Sequence, residues 1–146
     1  MTANTVFTSI VIDAAIDRVW RVLTDLDGYG AWNPYLVRIE PTGDAQRVLV
    51  HQHIDNHAGD IVRPVDIIRI EPWTMQWHGT LGEPVDLQGD HFFALRRESA
   101  GRTIFDHWER FSGPRADQFI EKFGTAVTHN FGRFNLALKD TVEGLD

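Results

Sequence analysis

With 146 residues, no cysteine and a formal net charge of −7, the chain has the length of one domain and excludes disulfides, thiolate nucleophiles and thiolate metal sites. Its 14 basic residues are scattered, which argues against a nucleic-acid partner, because a phosphate-binding face needs grouped Lys and Arg. No stretch reaches the roughly 18 apolar residues of a membrane span, and Met1 to Asp13 lacks a basic segment leading into a long apolar one, so a cytoplasmic protein is expected.

Thr5 to Ile12 alternates and is rich in β-branched residues, the signature of a strand, and Asp13 is placed to cap the helix that follows. In that helix Ile16, Val19, Trp20, Leu23 and Leu26 recur at steps of three and four, with Asp17 facing the positive end of the dipole. Asp27-Gly28-Tyr29-Gly30 interrupts it, leaving room for one further short helical turn carrying Trp32. Asn33-Pro34 then forces the backbone out of helix.

From Tyr35 the period changes to two. Strands are expected at Tyr35 to Glu40, Arg47 to Ile54, Ile61 to Ile70, Thr74 to Thr80, Gly89 to Glu98 and Arg102 to Phe111. They are separated by the turn signals Pro41-Thr42-Gly43, Asn56 to Gly59, Glu71-Pro72, Gly82 to Pro84 and Ser99-Ala100-Gly101. Short turns with no helix between them make these strands antiparallel neighbours. The last segment, Pro114 to Glu143, is the longest helix. It opens on a first-position proline, Gly144 is placed to end it, and Phe119, Ile120, Phe123, Val127, Phe131, Phe134, Leu138 and Val142 form one apolar stripe. Only the sheet is long enough to cover that stripe, so the whole chain, residues 1–146, reads as one α+β domain in the order β-α-α-β6-α.

Several of these residues carry a family likeness. Ile12-Asp13-Ala14-Ala15 followed by Val19-Trp20, the Trp32-Asn33-Pro34 corner, and the series His91, Phe93, Leu95, Gly101-Arg102-Thr103, His107, Glu109, Phe111 and Gly113 resemble the START-like or SRPBCC superfamily. Within it the likeness is to the polyketide cyclase/dehydrase-like group, and Phe134-Asn135, Ala137-Leu138-Lys139 and Glu143 match its final helix. The resemblance spans nearly the whole chain. It implies a helix-grip fold, in which a curved seven-stranded antiparallel sheet wraps a long C-terminal helix, with two short N-terminal helices and a ligand cavity between helix and sheet. It implies no single chemistry, since members bind lipids, polyketides, hormones or other proteins.

Alternation divides the last strand into Phe105, His107, Glu109 and Phe111 on one face and Ile104, Asp106, Trp108 and Arg110 on the other. The first set is taken as inward, matched by His91, Phe93 and Leu95 on the strand before and by Trp77 with Met75 on the strand before that. The opposite choice would put Trp108 and Phe92 inside. The final helix would then form a lid through Phe123, Val127, Phe131 and Phe134, with Asn130 and Asn135 as polar contacts. Trp32 and Tyr35, at the corner before the second strand, complete the expected ligand-binding set. Aromatic walls with a few converging polar groups suit a small-molecule site, although helix-spaced aromatics also simply fill cores. His91, His107 and Glu109 are more informative, because a buried imidazole or carboxylate must be paired or used.

The other constellations point elsewhere. His51 and His53 share a face, but Val48, Val50, Gln52 and Ile54 form the more apolar one, so both histidines belong outside. His57 falls in a turn, and no metal site is expected. No phosphate loop or nucleophile elbow is present, and no cofactor is expected. The leading function is therefore a binding protein for a small apolar or aromatic, lipid- or polyketide-like ligand, as a monomer or homodimer. One alternative is a polyketide cyclase or dehydratase in which His107 with Glu109 or His91 divide acid and base roles. Another is a protein-interaction module of the chaperone-regulator type.

Overall fold

The computed structural model describes residues 4–81 and 86–145, and the expected turn at Gly82 to Pro84 lies outside the described residues. The elements run β1 (Thr5–Ile12), α1 (Ile16–Thr24), a 3-10 turn (Leu26–Ala31), β2 (Leu36–Pro41), β3 (Arg47–Gln52), β4 (Ile61–Glu71), β5 (Thr74–Leu81), β6 (Leu87–Ser99), β7 (Arg102–Ser112) and α2 (Ala116–Glu143). All seven strands form one antiparallel sheet in the order β1-β7-β6-β5-β4-β3-β2. The first strand thus pairs with the last, and the remaining neighbours follow the chain. With α2 packed on one face, this is the helix-grip arrangement of the expected order. Among the described residues no helix is long and apolar enough to cross a membrane.

Alternation assigns the faces as the sequence suggested. Thr103, Phe105, His107 and Phe111 of β7 and Leu87, His91, Phe93 and Leu95 of β6 are buried toward α2, with Met75 and Trp77 of β5 beside them. Trp108 and Phe92 lie on the outer face, where their rings stack at 4.9 Å and Phe7 of β1 adds a third ring 5.9 Å from Trp108. Ile12, Val19, Leu23, Tyr29, Leu138 and Val142 close the core at the far end of α2.

The N-terminal helical region departs from the expected detail in two places. Asp13 does not cap α1: the capping position is Ala15, without a side-chain bond. Asp13 instead pairs with Arg102 at 2.9 Å, while its backbone N–H donates to Glu143 at 2.7 Å, so it ties β1, β7 and α2 together. Leu26 belongs to the separate 3-10 turn rather than to α1, because Asp25 breaks the helix. The Asn33-Pro34 corner is held by the Asn33 side-chain oxygen, which accepts from the N–H groups of Tyr35 (3.0 Å) and Leu36 (2.9 Å) and delays β2 by one residue. α2 begins two residues after Pro114, following Gly113 at φ +105°, where an added Cβ would also collide with the Asp86 backbone.

Candidate functional site

Beneath the C-terminal half of α2 the inward aromatics are packed face to face. The imidazoles of His91 and His107 lie in nearly parallel planes (5° apart), with their Nε2 atoms 2.7 Å from each other. Phe131 of α2 stacks on both, at 4.1 Å from His107 and 4.9 Å from His91, and Phe93 stacks on both from the sheet, at 5.0 and 4.3 Å. Phe134 meets Phe93, Phe105, His107, Tyr29 and Trp32 at 4.8 to 6.0 Å. This end of the interior is filled by protein.

The second nitrogen of His107, Nδ1, lies 2.7 Å from the Asn135 side-chain oxygen. The Asn135 side-chain nitrogen donates to the Thr8 hydroxyl oxygen at 2.9 Å, and that hydroxyl donates to the His107 carbonyl at 2.8 Å. A closed loop of bonds therefore joins β1, β7 and α2. Burial holds the His107 imidazole far below the ordinary histidine range, at about 3, despite its bond to the Asn135 side-chain oxygen, and burial followed by the neighbouring His107 depresses His91 as well. Both rings are neutral at physiological pH.

Next to the rings, at the end of β7 nearer the start of α2, the packing opens. Glu109 sits opposite His91 in the β6–β7 register, with its Oε1 3.9 Å from His91 Nδ1. A side chain at Gly89 would meet the Glu109 carboxyl, so a glycine near the start of β6 leaves the space for that group. Burial is the main force on Glu109 and pushes its pKa up to about 8; Arg63 opposes the shift and Asp90 adds to it. Burial and the Glu109 charge also raise the Tyr35 phenol.

Between the N-terminal half of α2 and strands β3, β4 and β7 lies a cavity of about 350 Å³. Ile54, Ile61, Phe111, Phe119, Phe123 and Val127 supply apolar walls, and Tyr35, Gln52, Arg63, Glu109 and Asn130 supply polar groups. A second, water-sized recess of about 30 Å³ lies deeper in the sheet, lined in part by Trp77 and His91; Gln52, Arg63 and Glu109 line both spaces.

The residues predicted from the sequence thus separate into three groups. Tyr35, Glu109, Phe123, Val127 and Asn130 line the cavity, and Trp77 and His91 join Glu109 at the recess. Trp32, Phe93, Phe105, His107, Phe131 and Phe134 line neither space and pack against one another in the interior. His51 and His53 face away and pair with Glu40 and Asp60, each at 2.9 Å, whereas His57 reaches the cavity wall. Of the polar groups at the cavity, the sequence reading missed Gln52 and, above all, Arg63. Alternation groups Arg63 with Ile61, Val65 and Ile67 but equally with Arg69 and Glu71, and only the irregularity between Ile67 and Arg69 in the β4–β5 pairing separates it from those charges, so the sequence held no distinct signal for it.

The family model for "Polyketide cyclase / dehydrase and lipid transport" matches residues 4–143. No curated protein sequence matches the chain. Among solved structures, the Zhui aromatase/cyclase from Streptomyces sp. R1128 superposes with a TM-score of 0.76 at 17% identity, covering 95% of this chain and 93% of that one. A Mesorhizobium loti protein gives 0.70 at 20% identity, covering 97% and 98%, and a START superfamily protein from Mycobacterium smegmatis gives 0.61 at 12%, covering 90% and 97%. At these identities the structural likeness establishes the helix-grip fold. The family match, which runs through nearly every element described above, places the chain in the polyketide cyclase/dehydrase and lipid transport family.

Proposed function

We propose that the protein binds a small, largely apolar or aromatic molecule in the cavity between the first half of α2 and the sheet. The observation that carries this reading is the cavity itself. Its volume of about 350 Å³ falls at the lower end of the range for small-molecule sites, and its apolar walls converge on a few polar groups at one end. Burying the apolar part of a ligand stabilises the complex by roughly 25 cal/mol per Å², before the costs of ordering are subtracted. A lipid fragment or a fused aromatic of two or three rings matches this space.

Arg63, Gln52, Tyr35 and Glu109 would orient such a molecule. The guanidinium of Arg63 donates to the Gln52 side-chain oxygen at 3.3 Å, which turns the cation toward the cavity end where Glu109 lies. A carbonyl or anionic head placed there gains charge-assisted bonds in a partly desolvated setting. The test is titration with 1-anilinonaphthalene-8-sulfonate, followed by fluorescence. Saturable binding near one equivalent is expected, and it should be lost in Ala126→Trp, which fills the cavity from α2. Dye exclusion by the native chain, or unchanged binding in Ala126→Trp, would defeat the proposal.

A further inference from the structure

Resting on the reading of the cavity as a ligand site, we propose that the recess beside Trp77, His91 and Glu109 is a subsite for one hydroxyl oxygen. That oxygen, from the ligand or from water, accepts a hydrogen bond from the Trp77 indole N–H and donates one to His91 Nδ1.

The direction of the donor to His91 follows from the buried network, taken bond by bond. The Thr8 hydroxyl gives its proton to the His107 carbonyl, so its oxygen accepts from the Asn135 amide. The amide oxygen is thereby turned toward His107 Nδ1, which must carry a proton to make the 2.7 Å bond. A neutral His107 then has a lone pair on Nε2. Since that atom lies 2.7 Å from His91 Nε2, the proton of His91 must be on Nε2. The remaining nitrogen of His91, Nδ1, is left as an acceptor only. Its neighbour Glu109 Oε1 is 3.9 Å away, too far for a direct hydrogen bond.

A second, independent observation concerns Trp77. Trp77 is 2% exposed, and its Nε1–H finds no acceptor among the described residues. Buried donors are nearly always partnered, so this one calls for an acceptor. The recess lined by Trp77, His91, Gln52, Arg63 and Glu109 has a volume of about 30 Å³, the size of one water or one hydroxyl. Trp77 and His91 both line it, and an indole donor together with an imidazole acceptor is complementary to O–H, which both accepts and donates. A carbonyl or ether oxygen would satisfy the indole but set lone pair against lone pair at His91. Gln52, Arg63 and Glu109 also line the larger cavity, so these side chains form the boundary between the recess and a ligand seated there.

Two measurements on the full chain test this. In the first, long-range proton–nitrogen NMR should show His107 as the Nδ1–H tautomer and His91 as the Nε2–H tautomer; a proton on His91 Nδ1 at neutral pH overturns the proposal. In the second, 2-naphthol is compared with the near-isosteric 2-fluoronaphthalene. The affinity ratio favouring the hydroxyl should fall by about tenfold in Trp77→Phe, which keeps a ring in place but removes the donor. A ratio unchanged by Trp77→Phe overturns the subsite while leaving the cavity reading intact. If neither probe binds, the cavity reading fails, and the subsite is decided on the ligand-free chain by crystallography. An ordered oxygen bonded to both Trp77 Nε1 and His91 Nδ1 upholds it, and none there overturns it.

Discussion

Along α2, Phe131, Phe134, Leu138 and Val142 are sealed from solvent, whereas Phe123, two turns before Phe131, is 43% exposed and Phe119 and Val127 are only partly covered. The stripe is continuous in sequence, so the helix itself does not explain the difference. The opposing sheet does. Under the second half it presents Phe93, Phe105 and His107, large flat groups that reach the helix; under the first half the one sheet ring among the described residues that reaches it is Phe111, meeting Phe119 at 4.8 Å, and the polar Gln52, Arg63 and Glu109 line the cavity beside that contact. The boundary is fastened by Arg133, which donates to the carbonyls of His53 (3.0 Å) and Pro34 (2.9 Å), and by Asn130, which accepts from the Asp55 N–H at 3.4 Å. One end of the helix is structural and the other is left for a guest.

The harshest challenge to this division is Phe131→Ala. Removing a ring that stacks on both buried imidazoles should cost about 3–5 kcal/mol of stability, measured by urea unfolding. A cost below about 1 kcal/mol would mean that the packed end is not packed, and the contrast between the halves would collapse.

A pH experiment addresses the open end. The Glu109 carboxyl has its pKa raised from 4.5 to about 8 in the folded chain, mainly by burial. The native state therefore holds a proton that the unfolded state has released across this interval, and this group's contribution to stability is full below 4.5 and is lost as pH rises through 8. His107 acts in the opposite sense: its pKa falls from 6.5 to about 3, so its contribution is present above 6.5 and is lost as pH falls toward 3. Glu109→Gln should remove the alkaline loss, making the variant gain on the native chain by roughly 3 kcal/mol between pH 5 and pH 8. Parallel stability curves for the two proteins would place Glu109 in a water-like environment and remove the polar end of the cavity.

The sheet and its faces were legible because alternation is local: Phe105, His107 and Phe111 declare one side of β7 whatever lies opposite. The outer placement of His51 and His53 followed in the same way from Val48 and Val50. What periodicity could not convey was distance. It placed Phe123 and Phe134 on one stripe, but the gap under Phe123 depends on residues 60 positions away in β4, above all Arg63, and on the clamp at Arg133. Likewise it put His107, Glu109 and His91 on one inward face without saying which of them meet. The register shows that His107 is enclosed by Phe93, Phe131 and Asn135, and that His91 is the imidazole next to the Glu109 carboxyl. Asp13 was misassigned as a cap because a strand end and a helix start use the same residue types, and only the fold brings Arg102 beside it.

The finest test of the contrast is Phe123→Ala, the counterpart of Phe131→Ala two turns earlier on the helix. Phe123 keeps nearly half its surface in water, touches Phe119 at a ring distance of 5.2 Å and has the Lys122 ammonium 5.3 Å from its ring, so the folded state gains little from it. Stability should change by less than about 0.5 kcal/mol. Affinity for the naphthalene-based dye should nevertheless drop about fivefold, because the ring contributes to the binding wall rather than to the core. Ala at both sites separates the two roles: one substitution moves the unfolding curve and spares the dye, the other spares the curve and moves the dye. A Phe123→Ala protein that unfolds as early as Phe131→Ala would show the first half of α2 to be pinned to the sheet, with no room beneath it for a ligand of the size proposed.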